Sequence, residues 1–147
     1  MEKINFTVTI NAPKEKVWST LWDDETYRKW TSAFSPTSYA ESDWKEGSKI
    51  LFLDGQGSGM VSKIETLRPN EFMSFKHLGE VKNGVEDTES ERVKAWAGGF
   101  ENYTLKESSE GKTELVVDLD MQDEFKDMFM QMFPKALEQV KILSETK

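Results

Sequence analysis

The first residues of the chain alternate strictly between apolar and polar side chains. Apolar residues from Ile4 to Ile10 are separated by single polar residues, which is the period of a strand with one buried face. The segment 11–13 ends this alternation, and Pro13 suits a first helical turn because its φ is fixed. The pattern therefore predicts an N-terminal strand that is followed directly by a helix.

Two short helices are predicted after Pro13. Apolar residues recur there every three or four positions, which is the helical period. The stripe of the first helix consists of Val17, Trp18, Leu21 and Trp22, and that of the second consists of Tyr27, Trp30 and Phe34. Asp23 or Asp24 is the expected N-cap of the second helix, and Pro36 ends it.

Strands dominate from Tyr39 to Met121. The predicted strands cover residues 49–53, 60–65, 72–78, 100–106 and 113–121. The glycine-rich segment 54–59 and the segment 68–71 are expected to be turns. The acidic segment 79–91 is expected to be a mobile loop. Short turns between consecutive strands favour an antiparallel meander.

The C-terminal segment returns to the helical period. Its apolar positions are Phe125, Phe129, Met132, Ala136, Val140 and Leu143, and charged residues occupy the opposite face. Pro134 lacks an amide donor, so a kink or a break is expected there. This helix is the only predicted element that is long and apolar enough to cover the sheet.

The length of the chain agrees with one domain. The chain has 147 residues and can bury roughly 70% of the surface that its unfolded form exposes. We therefore expect one α+β domain over residues 1–147 with a helix-grip fold. In this fold a curved antiparallel β-sheet, with two short helices, closes on the long C-terminal helix over an apolar pocket.

Composition excludes several classes of protein. The chain contains no cysteine, which excludes disulfides, thiol catalysis and cysteine-ligated metals. A net charge of −8 disfavours nucleic acids and anionic membrane surfaces as partners. No segment approaches the ~20 apolar residues of a membrane span, and the first residues lack the apolar run of a signal peptide. A cytoplasmic protein is expected.

Few side chains in the sequence are candidates for catalysis or metal binding. His77 is the only histidine; it can act as a general base or hold the polar group of a ligand, but a hydrogen-bonded strand residue is the simpler interpretation. One histidine without cysteine is too few for zinc, and the acidic segment 118–127 lacks the spacing of an EF-hand. No serine has a recognisable base and acid beside it. We therefore expect no catalytic residue, no metal site and no cofactor.

Several stretches resemble one known family. They are Ile10-Asn11-Ala12-Pro13 with Val17-Trp18, Trp44-Lys45-Glu46-Gly47-Ser48, Gly59-Met60-Val61 with Ile64 and Pro69, Phe100-Glu101-Asn102-Tyr103-Thr104-Leu105 with residues 111–115, and Met132-Phe133-Pro134-Lys135-Ala136-Leu137. Through them the chain resembles the START-like (SRPBCC) superfamily and, within it, the group named after the activator of the heat-shock-protein-90 ATPase. The resemblance covers nearly the whole chain and implies the helix-grip fold, but it brings no catalytic motif.

The resemblance also implies a cavity lined by large apolar side chains. The chain has five tryptophans, whose default role is core packing. In a START-like cavity such residues form the wall, and a few polar groups orient a ligand. The residues expected to line it are Phe52, Met60, Phe75, His77, Trp96, Tyr103, Phe125, Phe129 and Met132.

Three functions are open at this point. The first is the binding of a small hydrophobic or amphipathic molecule between sheet and helix, without catalysis. The second is a protein-interaction module similar to a co-chaperone of the stress response, as a monomer or a homodimer. The third is an enzyme of the polyketide cyclase or aromatase type, which the lack of a readable acid–base pair disfavours. An empty apolar pocket would favour the first or third, whereas a filled cavity with an exposed apolar patch would favour a protein partner.

Overall fold

The elements largely follow the predicted order. The computed structural model describes residues 2–146. Its strands are β1 Glu2–Ile10, β2 Tyr39–Glu41, β3 Lys49–Leu53, β4 Gly59–Arg68, β5 Phe72–Lys82, β6 Val85–Asp87, β7 Phe100–Ser109 and β8 Lys112–Met121. Its helices are α1 Lys14–Trp22, α2 Asp24–Thr31, α3 Glu91–Lys94 and α4 Asp123–Glu145. One antiparallel sheet with helices segregated from it is the expected α+β class.

All these strands belong to one curved sheet. Its order is β1-β8-β7-β5-β4-β3-β2, and β6 pairs with the C-terminal end of β5. The register places Ile4 and Glu101 opposite Leu119 of β8, and it places Phe75 opposite Glu101 and Ile64. Because paired residues share one face of a sheet, these positions define a concave face that runs from β1 to β4.

The segment 79–91 is structured, contrary to the expectation of a mobile loop. β5 continues to Lys82, the chain reverses at Asn83 and Gly84, and β6 pairs with the end of β5. Asn83 and Gly84 have positive φ angles of 52° and 77°, which is the geometry that favours an Asn-Gly hairpin turn. The prediction was wrong because the acidic composition of the segment hid a turn signal.

Helix α4 lies along β1 and covers the sheet, as expected. The ring of Phe133 stacks on that of Phe6 with centroids 5.2 Å apart. At the other end of the helix, the Asn11 backbone N–H donates to the Glu145 carboxylate at 2.8 Å. The helix buries Phe133, Ala136, Leu137, Val140 and Ser144.

Pro134 does not break α4. The prediction was a kink or a break, and the break is wrong because the helix is continuous from Asp123 to Glu145. Proline has no N–H to give to the carbonyl of Met130. Both Pro134 and Met130 are exposed, so water can bond that carbonyl while packing on either side holds the helix together. No helix within residues 2–146 is long and apolar enough to cross a membrane.

Candidate functional site

Four polar side chains lie together on the concave face. Ser62 of β4, His77 of β5, and Glu101 and Tyr103 of β7 form this group, which we call the polar cluster. Ser62 has no exposed surface, and His77 and Tyr103 are buried. The Glu101 side chain keeps 21% of its surface exposed. Buried polar groups must be hydrogen-bonded to be tolerated, so the partners of each group decide what the cluster can do.

A continuous chain of hydrogen bonds joins the polar cluster. Ser62 Oγ lies 2.7 Å from His77 Nδ1, and His77 Nε2 lies 3.2 Å from Glu101 Oε1. The Tyr103 hydroxyl donates to Glu101 Oε2 at 2.5 Å. An ionised carboxylate can only accept, so the Nε2–H of His77 donates to Glu101; in the neutral imidazole Nδ1 then accepts, and the Ser62 hydroxyl donates to it.

Two tyrosines near Glu101 remain neutral. Burial and the negative charge of Glu101 raise the pKa of Tyr103 well above its usual value. The same causes, in the same order, raise the pKa of Tyr27, a buried residue of α2. Both hydroxyls therefore stay protonated at neutral pH, and Tyr103 stays a donor to Glu101.

Aromatic side chains fill the space between the sheet and the helices. Trp22 of α1 contacts the rings of Tyr103 and Phe75 edge-on, with centroids 4.9 and 5.3 Å away. Trp30 of α2 lies 6.3 Å from Tyr103, and Trp44 lies 5.9 Å from Trp22. These side chains fill the interior, which decides between the open and the filled cavity that the sequence left as alternatives. At this position the default role of tryptophan, core packing, prevails.

Two surface cavities lie away from the polar cluster. The larger has a volume of about 190 Å³ and is lined by Tyr39, Leu51, Leu53, Gly55, Gly57, Val81, Gly84 and Glu86. The smaller, of about 120 Å³, lies between the start of α1 and the β7–β8 turn. Neither is lined by a residue of the polar cluster. Any molecule that uses the cluster must therefore bind at its exposed side.

Five of the residues expected to line a pocket lie in or beside the polar cluster. His77 and Tyr103 belong to it, and Phe75 contacts Tyr103 with ring centroids 6.2 Å apart. The ring of Phe52 lies 5.0 Å from that of Phe75 and 6.2 Å from that of His77. Met60 is half-buried and pairs with Phe52 on the same face.

The other four lie at the margin. Phe129 and Met132 of α4 are half-buried, whereas Phe125 is 44% exposed. Phe125 was expected to pack on the sheet, and this was wrong because the buried stripe of α4 is centred on Phe133 and the residues that follow it. Trp96 is half-buried after α3, and no ring contact joins it to the aromatic cluster in the part of the chain described.

Sequence reasoning missed Ser62 and Glu101. Ser62 sits between Met60 and Ile64 in an alternating strand, and Glu101 precedes Tyr103 by two positions. The period of two places each on the inward face. The missing information was the register, because a bulge between Val61 and Ser62 decides which residue of β4 meets His77.

The chemistry available to the polar cluster is that of an acceptor or base. A serine nucleophile must reach its substrate, but Ser62 is fully buried and is the inner end of the chain of hydrogen bonds. Glu101 has the exposed surface and can accept a hydrogen bond or a proton from a bound molecule. Residues 2–146 contain no group of three or more His, Cys, Asp or Glu placed to hold a metal ion.

Several solved structures share the fold. Protein CV1439 from Chromobacterium violaceum is 19% identical, with a TM-score of 0.71 and a match that covers 100% of both chains. The Aha1 dimer from Colwellia psychrerythraea is 21% identical, with a TM-score of 0.71 over 100% of this chain and 99% of that chain. DynU16, a protein in the dynemicin biosynthetic locus, is 15% identical, with a TM-score of 0.71 over 99% of this chain and 48% of that chain.

The family is shown by the sequence itself. No curated protein matches the chain at a significant level, and the structural similarities, at these identities, establish the fold alone. The family model described as Activator of Hsp90 ATPase homolog 1-like protein matches residues 11–143, which is most of the chain. The resemblance seen in the sequence and the helix-grip fold are thereby confirmed. The chain belongs to the family of Activator of Hsp90 ATPase homolog 1-like proteins.

Proposed function

We propose that the protein binds a small amphipathic molecule at the exposed side of the polar cluster. The observation that carries this proposal is the partly exposed carboxylate of Glu101, held by His77 and Tyr103 in an otherwise apolar face. A buried polar network adds little net stability over apolar side chains of the same shape. The presence of one on a concave face therefore favours a role in recognition.

The first turns of α4 follow the strand that pairs with the Glu101 end of β7. Glu101 pairs with Leu119, near the end of β8. Helix α4 begins at Asp123, directly after that end, and its Lys126 pairs with Glu2 of β1 at 2.8 Å. The cluster and the start of α4 therefore lie at the same end of the sheet.

Half-buried apolar side chains at this end can contact the apolar part of the ligand. They are Phe52, Met60, Met121, Phe129 and Met132. Three of the five are methionines, whose flexible side chains adapt to different shapes. Because the deep interior is filled, the molecule displaces these side chains at the margin and leaves the aromatic core in place.

An NMR titration tests this proposal. The probe is 2-(2-naphthyl)ethanol, a neutral molecule with an apolar ring and one hydroxyl. We expect saturable shifts of the amide signals of His77, Glu101 and Phe129, and none at Leu51 in the larger cavity. The absence of saturable shifts, or shifts confined to that cavity, would contradict the proposal.

Two variants of α4 serve as a matched pair in this titration. Met132→Glu places a charge at a half-buried position of α4 that the proposal assigns to the site, whereas Met130→Glu places one at an exposed position of the same helix. Met132→Glu should weaken binding, and Met130→Glu should leave it unchanged. Equal effects of the two variants would show that the site lies elsewhere.

A second candidate function is self-association, which a filled interior together with exposed apolar side chains favours by the criterion given for the sequence. Phe125, Met128 and Met130 at the start of α4 are 44%, 42% and 45% exposed, although the interior is filled. A structure of the same fold is described as an Aha1 dimer. Sedimentation equilibrium should then show a dimer that Met128→Glu dissociates and Ile142→Glu, near the other end of α4, does not. A monomeric wild-type protein would exclude this candidate.

The remaining expectations from the sequence stay predictions. They are a cytoplasmic location, a link to the stress response, and catalysis of the polyketide cyclase type. If the protein is such an enzyme, Glu101 is the residue to which we assign the role of general base, because it is the exposed end of the polar cluster.

A further inference from the structure

The polar cluster has unused acceptors but no unused donors. The Ser62 hydroxyl, the Nε2–H of His77 and the Tyr103 hydroxyl each donate within the cluster. Glu101 receives two of these hydrogen bonds, one on each oxygen, whereas a carboxylate has about four lone-pair positions. The exposed surface of Glu101 therefore offers a bound molecule acceptors only.

No cation balances Glu101 from the strands around it. The inward-facing residues of β4, β5 and β7 near the cluster are Met60, Ser62, Ile64, Met73, Phe75, His77, Glu80, Glu101, Tyr103 and Leu105. The lysines of this region, Lys63 of β4 and Lys76 of β5, lie opposite each other in the register and on the other face of the sheet. The second inward carboxylate, Glu80, already has a partner in Arg92 of α3.

The start of α4 adds negative charge at the same end of the sheet. Its first turns carry Asp123, Glu124 and Asp127, all exposed. The one lysine among them, Lys126, pairs with Glu2. Among the described residues, the inward face near Glu101 and the first turns of α4 therefore present carboxylates without an unpaired cation beside them.

The fully buried donors that lack a partner are not accessible to a ligand of this site. Within residues 2–146 these buried donors are the indole N–H of Trp22 and the hydroxyl of Ser144. Trp22 is enclosed by the rings of Phe75 and Tyr103, and Ser144 lies in the last turn of α4, at the other end of that helix. Neither can bind an anionic group placed at Glu101.

We infer, building on the proposed function, that the ligand carries a hydrogen-bond donor at its polar end, best a protonated amine, and that carboxylates are rejected. An ammonium group donates to the free lone pairs of Glu101 and is paired with its charge, which makes the hydrogen bond charge-assisted. A carboxylate at the same place is a second anion with no donor to bind, so both anions lose hydration without compensation.

Three matched probes test this inference by calorimetric titration of the wild-type protein under identical conditions. They share one ring system and differ in the polar end: 2-(2-naphthyl)ethylamine, 2-(2-naphthyl)ethanol and 2-naphthylacetate. The expected order of affinity is amine, alcohol, carboxylate. The amine should bind about tenfold or more tightly than the carboxylate, which is the effect of one charge-assisted hydrogen bond.

The acidic surface of the protein is the competing cause of such an order, because a net charge of −8 attracts any cation. Glu101→Gln removes one charge from the site, and Glu114→Gln removes one from the outer face of β8. The amine preference should fall several-fold in Glu101→Gln, checked for folding by circular dichroism, and persist in Glu114→Gln.

Each outcome decides a different point. If no probe saturates the protein, the proposed function itself fails. If the carboxylate binds as tightly as the amine, or more tightly, binding is real but the inferred preference is wrong. An amine preference of the same size in Glu101→Gln and Glu114→Gln would assign it to the overall charge and would overturn the inference.

Discussion

The imidazole of His77 and the carboxylate of Glu101 form a diagonal pair between β5 and β7, with Nε2 and Oε1 3.2 Å apart. In the register Glu101 lies opposite Phe75, two residues before His77. The backbone N–H of His77 donates to the Gly99 carbonyl at 2.9 Å, which joins β5 to the residue directly before β7. Ser62 then orients the ring, so the carboxylate is fixed with its free side toward the exposed end of the sheet.

The hydrogen bond between Ser62 and His77 should contribute measurably to the free energy of unfolding. Ser62→Ala leaves the buried Nδ1 of His77 without a partner and should lower the free energy of unfolding by about 1–3 kcal/mol. Urea denaturation measures this loss. Ser109→Ala, at an exposed position of β7, is the control and should change stability by less than about 0.5 kcal/mol. Equal effects of the two variants would mean that this bond contributes nothing.

Replacement by alanine should cost much more stability at Phe133 than at Phe125, although both residues belong to α4. Phe133 is buried against Phe6, so Phe133→Ala should cost about 3–5 kcal/mol of stability. Phe125 is largely exposed, and Phe125→Ala should cost less than about 0.5 kcal/mol. Thermal or chemical unfolding of both variants checks the pair. Similar losses would show that the first turn of α4 is packed, contrary to the structure.

Replacing Pro134 should stabilise the protein. Pro134→Ala restores an amide donor for the carbonyl of Met130 in a helix that is already continuous. The gain should be positive and at most about 3 kcal/mol, the difference between the two residues inside a helix. Lys135→Ala, at the next exposed position, should have almost no effect. A loss of stability in Pro134→Ala would mean that the proline ring is needed for packing.

Stability should fall at alkaline pH. The folded-state pKa values of Tyr103 and Tyr27 are raised, chiefly by burial and then by Glu101, above the unfolded value of about 10. The two tyrosines therefore contribute their full share to the free energy of unfolding below pH about 10. This share is lost as the pH rises further, because the tyrosines of the unfolded chain ionise at a lower pH than those of the folded protein. Tyr27→Phe removes one such group, so its stability should decline less steeply. A parallel decline of both proteins would contradict this assignment.

The pattern of apolar residues was sufficient to predict most elements of the fold. The alternation from Ile4 to Ile10 and the stripe through Ala136 and Val140 each reflect a buried face, and that face exists in the structure. Local propensity was less reliable. Pro134 was expected to kink or break α4, but packing keeps the helix continuous. The acidic residues around the turn at residues 83–84 led to the prediction of a loop there.

The candidate site was only half predictable. His77 and Tyr103 stood out by residue type, but Ser62 and Glu101 are ordinary residues until the bulge at Leu78 of β5 and the pairing of β5 with β7 bring them to His77. The filling of the interior by Trp22 and Trp30 was equally invisible, since apolar side chains that line a cavity and those that fill it follow the same pattern.

A crystal structure of the complex with 2-(2-naphthyl)ethylamine tests the central claim most directly. We predict that the ammonium nitrogen lies within hydrogen-bond distance of Glu101 and that the ring contacts Phe52, Met60 or Phe129. His77, Ser62 and Tyr103 should keep their present hydrogen bonds. A probe bound in the cavity lined by Tyr39 and Leu51, or on the exposed side of α4, with Glu101 untouched, would contradict the claim.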